Sequence, residues 1–318
     1  MRRTGFVGSH FHMSISKHDA ARILAEVDPA ERLEAVEPMA GLTSPIVELR
    51  CAGGRRLVIK TFSVERPWQL HHERFVYQLI RTHTRVPVPD VLRCDDSKQL
   101  IPFDFMVMSR LPGAPIVART DLARAEVQDV YGQLGAILRM LHTVTFEHYG
   151  YIAPTGVNPP LTNDEFMTQR FGEQLRVFAD TGGQRRIADR IDGAVTSSRP
   201  LFAASQRGVL CHNDLHEANA LAIKQRGRWH VTGVIDVSGA VAGDALFDLA
   251  RTHYWSTKGD PLKQEALVQS YRPVRPGWRE ALKIYRLYHA LELRNRFARH
   301  DRSPMLTHLD EELERLTQ

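Results

Sequence analysis

The stretch His212-Asn213-Asp214-Leu215-His216-Glu217-Ala218-Asn219, followed after a short hairpin by Val234-Ile235-Asp236, decides how the rest of the chain is read. It offers a carboxylate, a carboxamide five residues later and a second carboxylate. Oxygen donors of this kind suit a hard cation such as Mg²⁺, which keeps few protein ligands when it also holds nucleotide phosphates. Each residue alone has a plainer explanation. Asp and Asn are common in turns because their side chains bond nearby backbone, and Asp236 would merely end a strand.

Upstream, Ile46-Val47-Glu48-Leu49-Arg50 and Leu57-Val58-Ile59-Lys60 read as two strands around the turn Gly53-Gly54. Residues 18–33 carry helical spacing, as does Trp68 to His83, where Leu70, Val76, Leu79 and Ile80 form an apolar stripe. Glu73 lies on that stripe, and an inward carboxylate is costly unless paired. Phe103 to Met108 reads as a strand, and Pro112-Gly113 as the turn near which a boundary between lobes falls. Downstream, Val127, Val130, Leu134, Ile137, Leu138 and Leu141 keep a 3.6 period. Thr143 to Pro160 reads as an aromatic, Gly- and Pro-rich loop. Helices are expected at Asp164 to Phe178, Asp244 to Trp255 and Trp278 to Arg299, and short strands at Val209-Leu210 and Val231 to Ile235 flank the loop quoted above.

The order His-x-Asp-x₄-Asn then Asp, with Leu57 to Lys60, Glu73 and Gly243-Asp244-Ala245-Leu246-Phe247-Asp248-Leu249-Ala250, resembles the protein-kinase-like phosphotransferases, and within them the aminoglycoside phosphotransferase family. The resemblance spans roughly residues 36–300. It implies an α+β, bilobal protein-kinase-like fold, with an N-terminal antiparallel sheet lobe carrying one helix and a larger, mostly helical C-terminal lobe. The corresponding division is 1–17 as a disordered tail, 18–110 as the nucleotide-binding lobe and 111–318 as the catalytic and substrate-binding lobe. It also implies roles. Lys60 would contact the nucleotide phosphates and Glu73 would pair with it; Asp214 would serve as catalytic base; Asn219 and Asp236 would hold Mg²⁺. Thr43 and Ser44, in a turn with only one glycine, would fold over the phosphates of ATP or GTP. Backbone from about Met106 through Met108 to Arg110 would meet the base. His212 and Asp248 would support the loop and Asp244 would cap a helix. Asn213 stands where protein kinases have arginine, Asp236-Val237-Ser238 replaces their Asp-Phe-Gly, and no Ala-Pro-Glu segment follows, which disfavours a protein kinase.

Composition is ordinary for a soluble globular protein: 318 residues, 43% hydrophobic and 25% charged. No apolar run approaches the ~20 residues of a membrane helix, so no membrane partner is expected. The net charge of +5 arises from 42 basic residues scattered among 37 acids, which suits an anionic nucleotide and gives no nucleic-acid patch. Cys51, Cys94 and Cys211 lack disulfide or zinc spacing, which fits a reducing, cytoplasmic compartment. Arg2-Arg3 is similar to a twin-arginine opening but lacks the apolar run behind it, and Met13 is an alternative start.

The resemblance implies a small-molecule hydroxyl as acceptor, in an aminoglycoside-like or other sugar-bearing antibiotic, with resistance or self-protection as the outcome. A metabolic kinase for a sugar, amino alcohol or homoserine-like hydroxyl is the alternative, and a nucleotide-binding pseudokinase a third. Polycationic acceptors need extra carboxylates, for which Asp164, Glu165, Glu173, Asp310, Glu311, Glu312 and Glu314 are candidates. The helix Tyr285 to Arg299 is instead basic. Phe146, Tyr149, Tyr151, Tyr254, Trp255 and Tyr288 would stack on a sugar or pack in a core.

Overall fold

The computed structural model describes residues 15–39, 45–118, 122–300 and 303–318. Thr43, Ser44 and Met13 therefore lie outside the described residues. The described chain forms two compact units, one up to Arg74 with Pro89–Arg110, the other Phe75–Val88 with Leu111–Gln318.

In the first unit, α1 (Lys17–Val27) starts at Ser16, whose Oγ accepts the Asp19 N–H at 3.1 Å. The expected helix over 18–33 ends early because Asp28 precedes Pro29, and a residue before proline is driven out of the helical region. Leu33 instead opens β1 (Leu33–Met39). There follow β2 (Ile46–Cys51), β3 (Arg56–Phe62), α2 (Trp68–His83), β4 (Val91–Asp95) and β5 (Asp104–Ser109). All four pairings are antiparallel, in the order β1-β2-β3-β5-β4. Alternation along the strands sorts the two faces. Val47, Leu49, Leu57, Ile59, Phe105 and Val107 pack with Ala20, Ile23 and Leu24 of α1. The opposite face then receives Val58, Lys60 and Phe62 of β3.

The second unit contains β6 (Ala114–Pro115), α3 (Arg124–Leu141), β7 (Thr145–Phe146), β8 (Tyr149–Ala153), β9 (Gly156–Leu161), α4 (Asn163–Asp180) and α5 (Arg185–Ala203). It continues with β10 (Gly208–Cys211), β11 (Ala220–Gln225), β12 (Arg228–Val234), β13 (Val241–Gly243), α6 (Ala245–Thr257), α7 (Pro261–Tyr271), α8 (Trp278–Arg299) and α9 (Ser303–Leu316). The segment 143–160 is thus not a loop. β8 and β9 form a hairpin and β8 pairs with β13, giving a sheet in the order β7-β10-β13-β8-β9. Its partners lie up to some hundred residues away, so local composition hid it. Gly150 is needed there: its φ is +151°, and a Cβ would sit 2.5 Å from the Pro159 carbonyl oxygen.

A second, three-stranded sheet runs β12-β11-β6. The pairs β10–β13 and β11–β12 position the chemistry. Residues 212–219 connect β10 to β11, and 235–240 connect β12 to β13, so both loops leave from paired strands. Around them Phe171, Phe202, Phe247, Tyr285 and Tyr288 are packed rings with centroids 5.2–6.3 Å apart. Tyr288 is therefore core, not a platform for ligand.

Candidate active site

Lys60 lies inside β3, two residues short of its end, on the face away from α1. From α2, Glu73 is fully buried and meets the Lys60 ammonium at 2.6 Å. A carboxylate on the apolar stripe of a helix thus has the cation that its burial demands. Lys60 also lies 5.4 Å from the Phe62 ring centroid, two residues on along the same face.

Met106 and Met108 occupy the middle of the sheet. Met106 faces Lys60 on one side and Cys94 on the other, and Met108 faces Val58 and Val91. Their backbone is engaged in the ladder, because an interior strand has neighbours on both edges. The segment from Met106 to Arg110, whose backbone the resemblance assigns to the base, runs along this interior strand and past its end at Ser109.

In the second unit the loop 212–219 is held mainly by its own backbone groups. Asp248, wholly buried in the first turn of α6, accepts the N–H of His212 and of Asn213, each at 2.8 Å, and meets His142 Nε2 at 3.1 Å. Burial alone would raise the Asp248 carboxyl, but the bond to His142 and the neighbouring histidines outweigh it and hold it below the usual range. His212 accepts the Asp214 N–H on Nδ1 at 3.3 Å, so Nε2 carries the proton towards the Ile235 carbonyl at 3.2 Å. Burial pushes its pKa down, consistent with a neutral strut. Asn213 adopts a left-handed φ of 57°, which Asn tolerates better than most residues, and its Nδ2 donates to the Gly239 carbonyl at 3.0 Å. The residue that departs from the protein-kinase pattern therefore ties one loop to the other. Asp244 caps α6 by accepting the Leu246 N–H and also takes Arg275 and Tyr285.

Asp214 and Asn219 meet directly. Asn219 Nδ2 donates to the Asp214 carbonyl at 2.9 Å and to its Oδ2 at 3.2 Å. Both partners are acceptors, so the amide nitrogen must face them, which turns the Asn219 Oδ1 away as a remaining donor atom for a cation. The Ile235 N–H donates to the Asn219 carbonyl at 3.0 Å, extending the β11–β12 ladder and placing Asp236 beside this pair. Asp236 itself has a φ of 61°; its N–H donates to the Tyr77 hydroxyl at 3.0 Å, and its Oδ1 accepts the Ser238 hydroxyl at 2.9 Å. An amide oxygen and a carboxylate on adjoining loops are the donor types Mg²⁺ takes, with its remaining positions left to phosphate and water.

Two residues that the sequence reading passed over complete the surroundings of Asp214. Arg251, one turn along α6 from Asp248, donates from Nη2 to Asp214 Oδ1 at 2.8 Å and from Nη1 to Glu292 of α8. His216 faces Asp214 Oδ2 at 3.5 Å and stacks on Trp255, ring centroids 6.2 Å apart. Burial would raise the Asp214 carboxyl, but His216 and the Arg251 charge prevail and hold it well below the ordinary carboxylate range. The visible signal for Arg251 is a cation one turn after Asp248 in a helix start whose other residues, Ala245, Leu246, Phe247, Leu249 and Ala250, are apolar.

Together these features define a small-molecule phosphotransferase of the bilobal, kinase-like kind, with an antiparallel sheet lobe and a helical lobe. The chain belongs to the phosphotransferase enzyme family, whose model matches residues 36–283. Solved structures share the fold. A thermostable mutant of the aminoglycoside phosphotransferase APH(4)-Ia, in complex with ADP and hygromycin B, is 16% identical with a TM-score of 0.69, over 94% of this chain and 98% of that one. A putative fructosamine-3-kinase from Thermobifida fusca is 20% identical with a TM-score of 0.66, over 93% and 98%. The macrolide 2'-phosphotransferase MphH from Brachybacterium faecium is 18% identical with a TM-score of 0.62, over 94% and 98%.

Proposed function

We propose that the protein is a Mg²⁺-dependent O-phosphotransferase that moves the γ-phosphate of ATP or GTP to a hydroxyl of a sugar-bearing antibiotic, in the cytoplasm, as resistance or self-protection. The observation that carries this reading is the junction of Asp214, Asn219 and Asp236 on two cross-tied loops, supplemented by the buried Lys60–Glu73 pair. Phosphoryl transfer asks for alignment and charge neutralisation more than for covalent chemistry. Lys60, held by Glu73, would bind phosphate oxygens, and Thr43 and Ser44 would add contacts over them. Asn219 and Asp236 would hold Mg²⁺, which supplies positive charge against the phosphates. Asp214, ionised at neutral pH, would accept a hydrogen bond from the acceptor hydroxyl, aim its oxygen and take its proton late, once the new P–O bond has made it acidic.

The acceptor reading draws on the acidic candidates. Asp164 is bidentate on Arg199, Glu165 caps α4, Asp310 holds Arg294 and Glu312 takes the Tyr254 hydroxyl. Glu314 pairs with Arg186 and Glu173 with Gln169. Six of the seven candidates, all but the exposed Glu311, are so engaged and are poor counter-ions for a polycation, which favours an acceptor with few ammonium groups. The same observation sustains a second reading, a metabolic kinase for a sugar or amino alcohol.

The test is incubation of the purified protein with Mg²⁺, ATP or GTP and a panel of antibiotics and hydroxylated metabolites, read by mass spectrometry. A phosphate added to an antibiotic, and lost by more than ~10²-fold in Asp214→Ala, supports the reading. Phosphorylation of a metabolite alone selects the metabolic kinase, and undiminished turnover in Asp214→Ala refutes the assigned base.

A further inference from the structure

Arg251 is unusual in being a buried cation shared by two acids. Its side chain is 3% exposed, against 27% for Asp214 and 22% for Glu292. Its two terminal nitrogens go to different carboxylates, Nη2 to Asp214 Oδ1 and Nη1 to Glu292 Oε2, while Nε finds no acceptor among the described residues. A buried donor left unmet is unfavourable, so the two carboxylates, not the satisfaction of the guanidinium as a whole, dictate where it sits. Below it lies the Trp255 ring, 4.6 Å from the guanidinium carbon, which fixes the plane of the fork. His289 Nδ1 lies 3.5 Å from Arg251 Nη1, and burial pushes its pKa down, while the buried Arg170 is a second cation acting on Glu292.

The consequence falls on Asp214. With Oδ1 taken by Arg251 and Oδ2 approached by Asn219 Nδ2 and His216 Nε2, the carboxylate has one orientation. A carboxylate offers about four lone-pair sites, and those left over point in a fixed direction.

We propose that Arg251 is a positioning residue for phosphoryl transfer: it locks the Asp214 carboxylate in the rotamer that receives the acceptor hydroxyl, and Glu292 is the counter-charge that keeps the guanidinium in place. The inference rests on the role proposed for Asp214. A cation bridging the two carboxylates at this point confers alignment, and misplacement by about 1 Å lowers a rate by about 10²-fold.

A purely structural buried ion pair behaves differently. Removing one partner leaves an uncompensated charge, while replacing both restores much of the stability. Arg251→Met should therefore lower the Tm, and Arg251→Met combined with Glu292→Gln should regain most of that loss. Phosphate release from Mg²⁺·ATP, with water as acceptor, should remain slowed by about 10²-fold in both variants, with Mg²⁺·AMP-PNP affinity within about twofold of the parent protein. Crystals of the nucleotide-free double variant should show the Asp214 carboxylate rotated or in more than one rotamer. Turnover returning together with the Tm, or an Asp214 rotamer unmoved in the double variant, would overturn the inference. Asp214→Ala at full turnover would instead sink the role of Asp214, which separates the two failures.

Discussion

Replacing Asp248 by Asn changes no volume and removes one charge, so its effect can be worked from three hydrogen bonds. The carboxylate now accepts the N–H of His212 and of Asn213, both at 2.8 Å, and meets His142 at 3.1 Å. An amide has one oxygen. Either orientation leaves its NH₂ turned towards a backbone N–H, donor against donor, and that buried N–H is orphaned at about 1–3 kcal/mol. The surviving bond loses its charge assistance, roughly 1 kcal/mol more. Relief of the buried charge works the other way, yet the lowered Asp248 pKa means that the ionised form is the preferred one in the fold. The expected loss is about 2–4 kcal/mol, survivable against a domain stability of about 5–15 kcal/mol. Urea melts at pH 7 followed by far-UV circular dichroism measure it. The sign with pH follows from the depressed pKa: the stabilisation is present above the unfolded value of 3.8 and is lost as pH falls through the lower folded value. The gap between parent and Asp248→Asn should therefore narrow below about pH 4. A gap under about 0.5 kcal/mol at pH 7, or one that widens in acid, would refute this account of how the loop is held.

Gly135→Ala in α3 should destabilise despite a helix-propensity gain of about 1 kcal/mol, because the new Cβ would strike the Leu267 carbonyl and Tyr271 nitrogen of α7, backbone atoms that cannot rotate aside. A net loss of about 1–2 kcal/mol is expected, and a rise in Tm would show that the two helices separate freely. Lys60→Met should raise the KM for Mg²⁺·ATP by more than about tenfold, since its ammonium would bind phosphates, and should also lower the Tm, because the buried Glu73 carboxylate loses that cation; unchanged nucleotide affinity by calorimetry counts against the phosphate role. Glu73→Gln should act in the same direction but more weakly, because it leaves the ammonium in place and frees its orientation.

Local signals were legible and non-local ones were not. The hairpin at Gly53-Gly54 and the helix Trp68–His83 follow from period and turn chemistry within a few residues. The strands of 145–161 owe their existence to pairing with β10 and β13, and their Gly and Pro content masks the alternation. Helices α5 and α7 carry no comparable local signal, α5 holding Pro200 in its interior. In the site, residues that act by chemical type at fixed spacing stand out in the sequence, as Asp214, Asn219 and Asp236 do.

Arg251 and Glu292 belong to another category, and the reason is physical. Each lies in a helix among buried neighbours, Arg251 after Asp248-Leu249-Ala250 and Glu292 after His289-Ala290-Leu291. A charged residue on a buried helix face is tolerable only with a partner, so the sequence raises the question without naming the partner, which lies 41 positions away for this pair. The same logic made Glu73 readable, because its cation stood thirteen residues off on a strand already marked by pattern. Buried charges in apolar helix stripes should therefore be read as pairs awaiting assignment. In this protein one such pair contains Lys60, proposed to bind phosphate, and the other touches Asp214, proposed to receive the acceptor hydroxyl. The cost of burying charge is borne where a side chain's direction matters more than its contribution to stability.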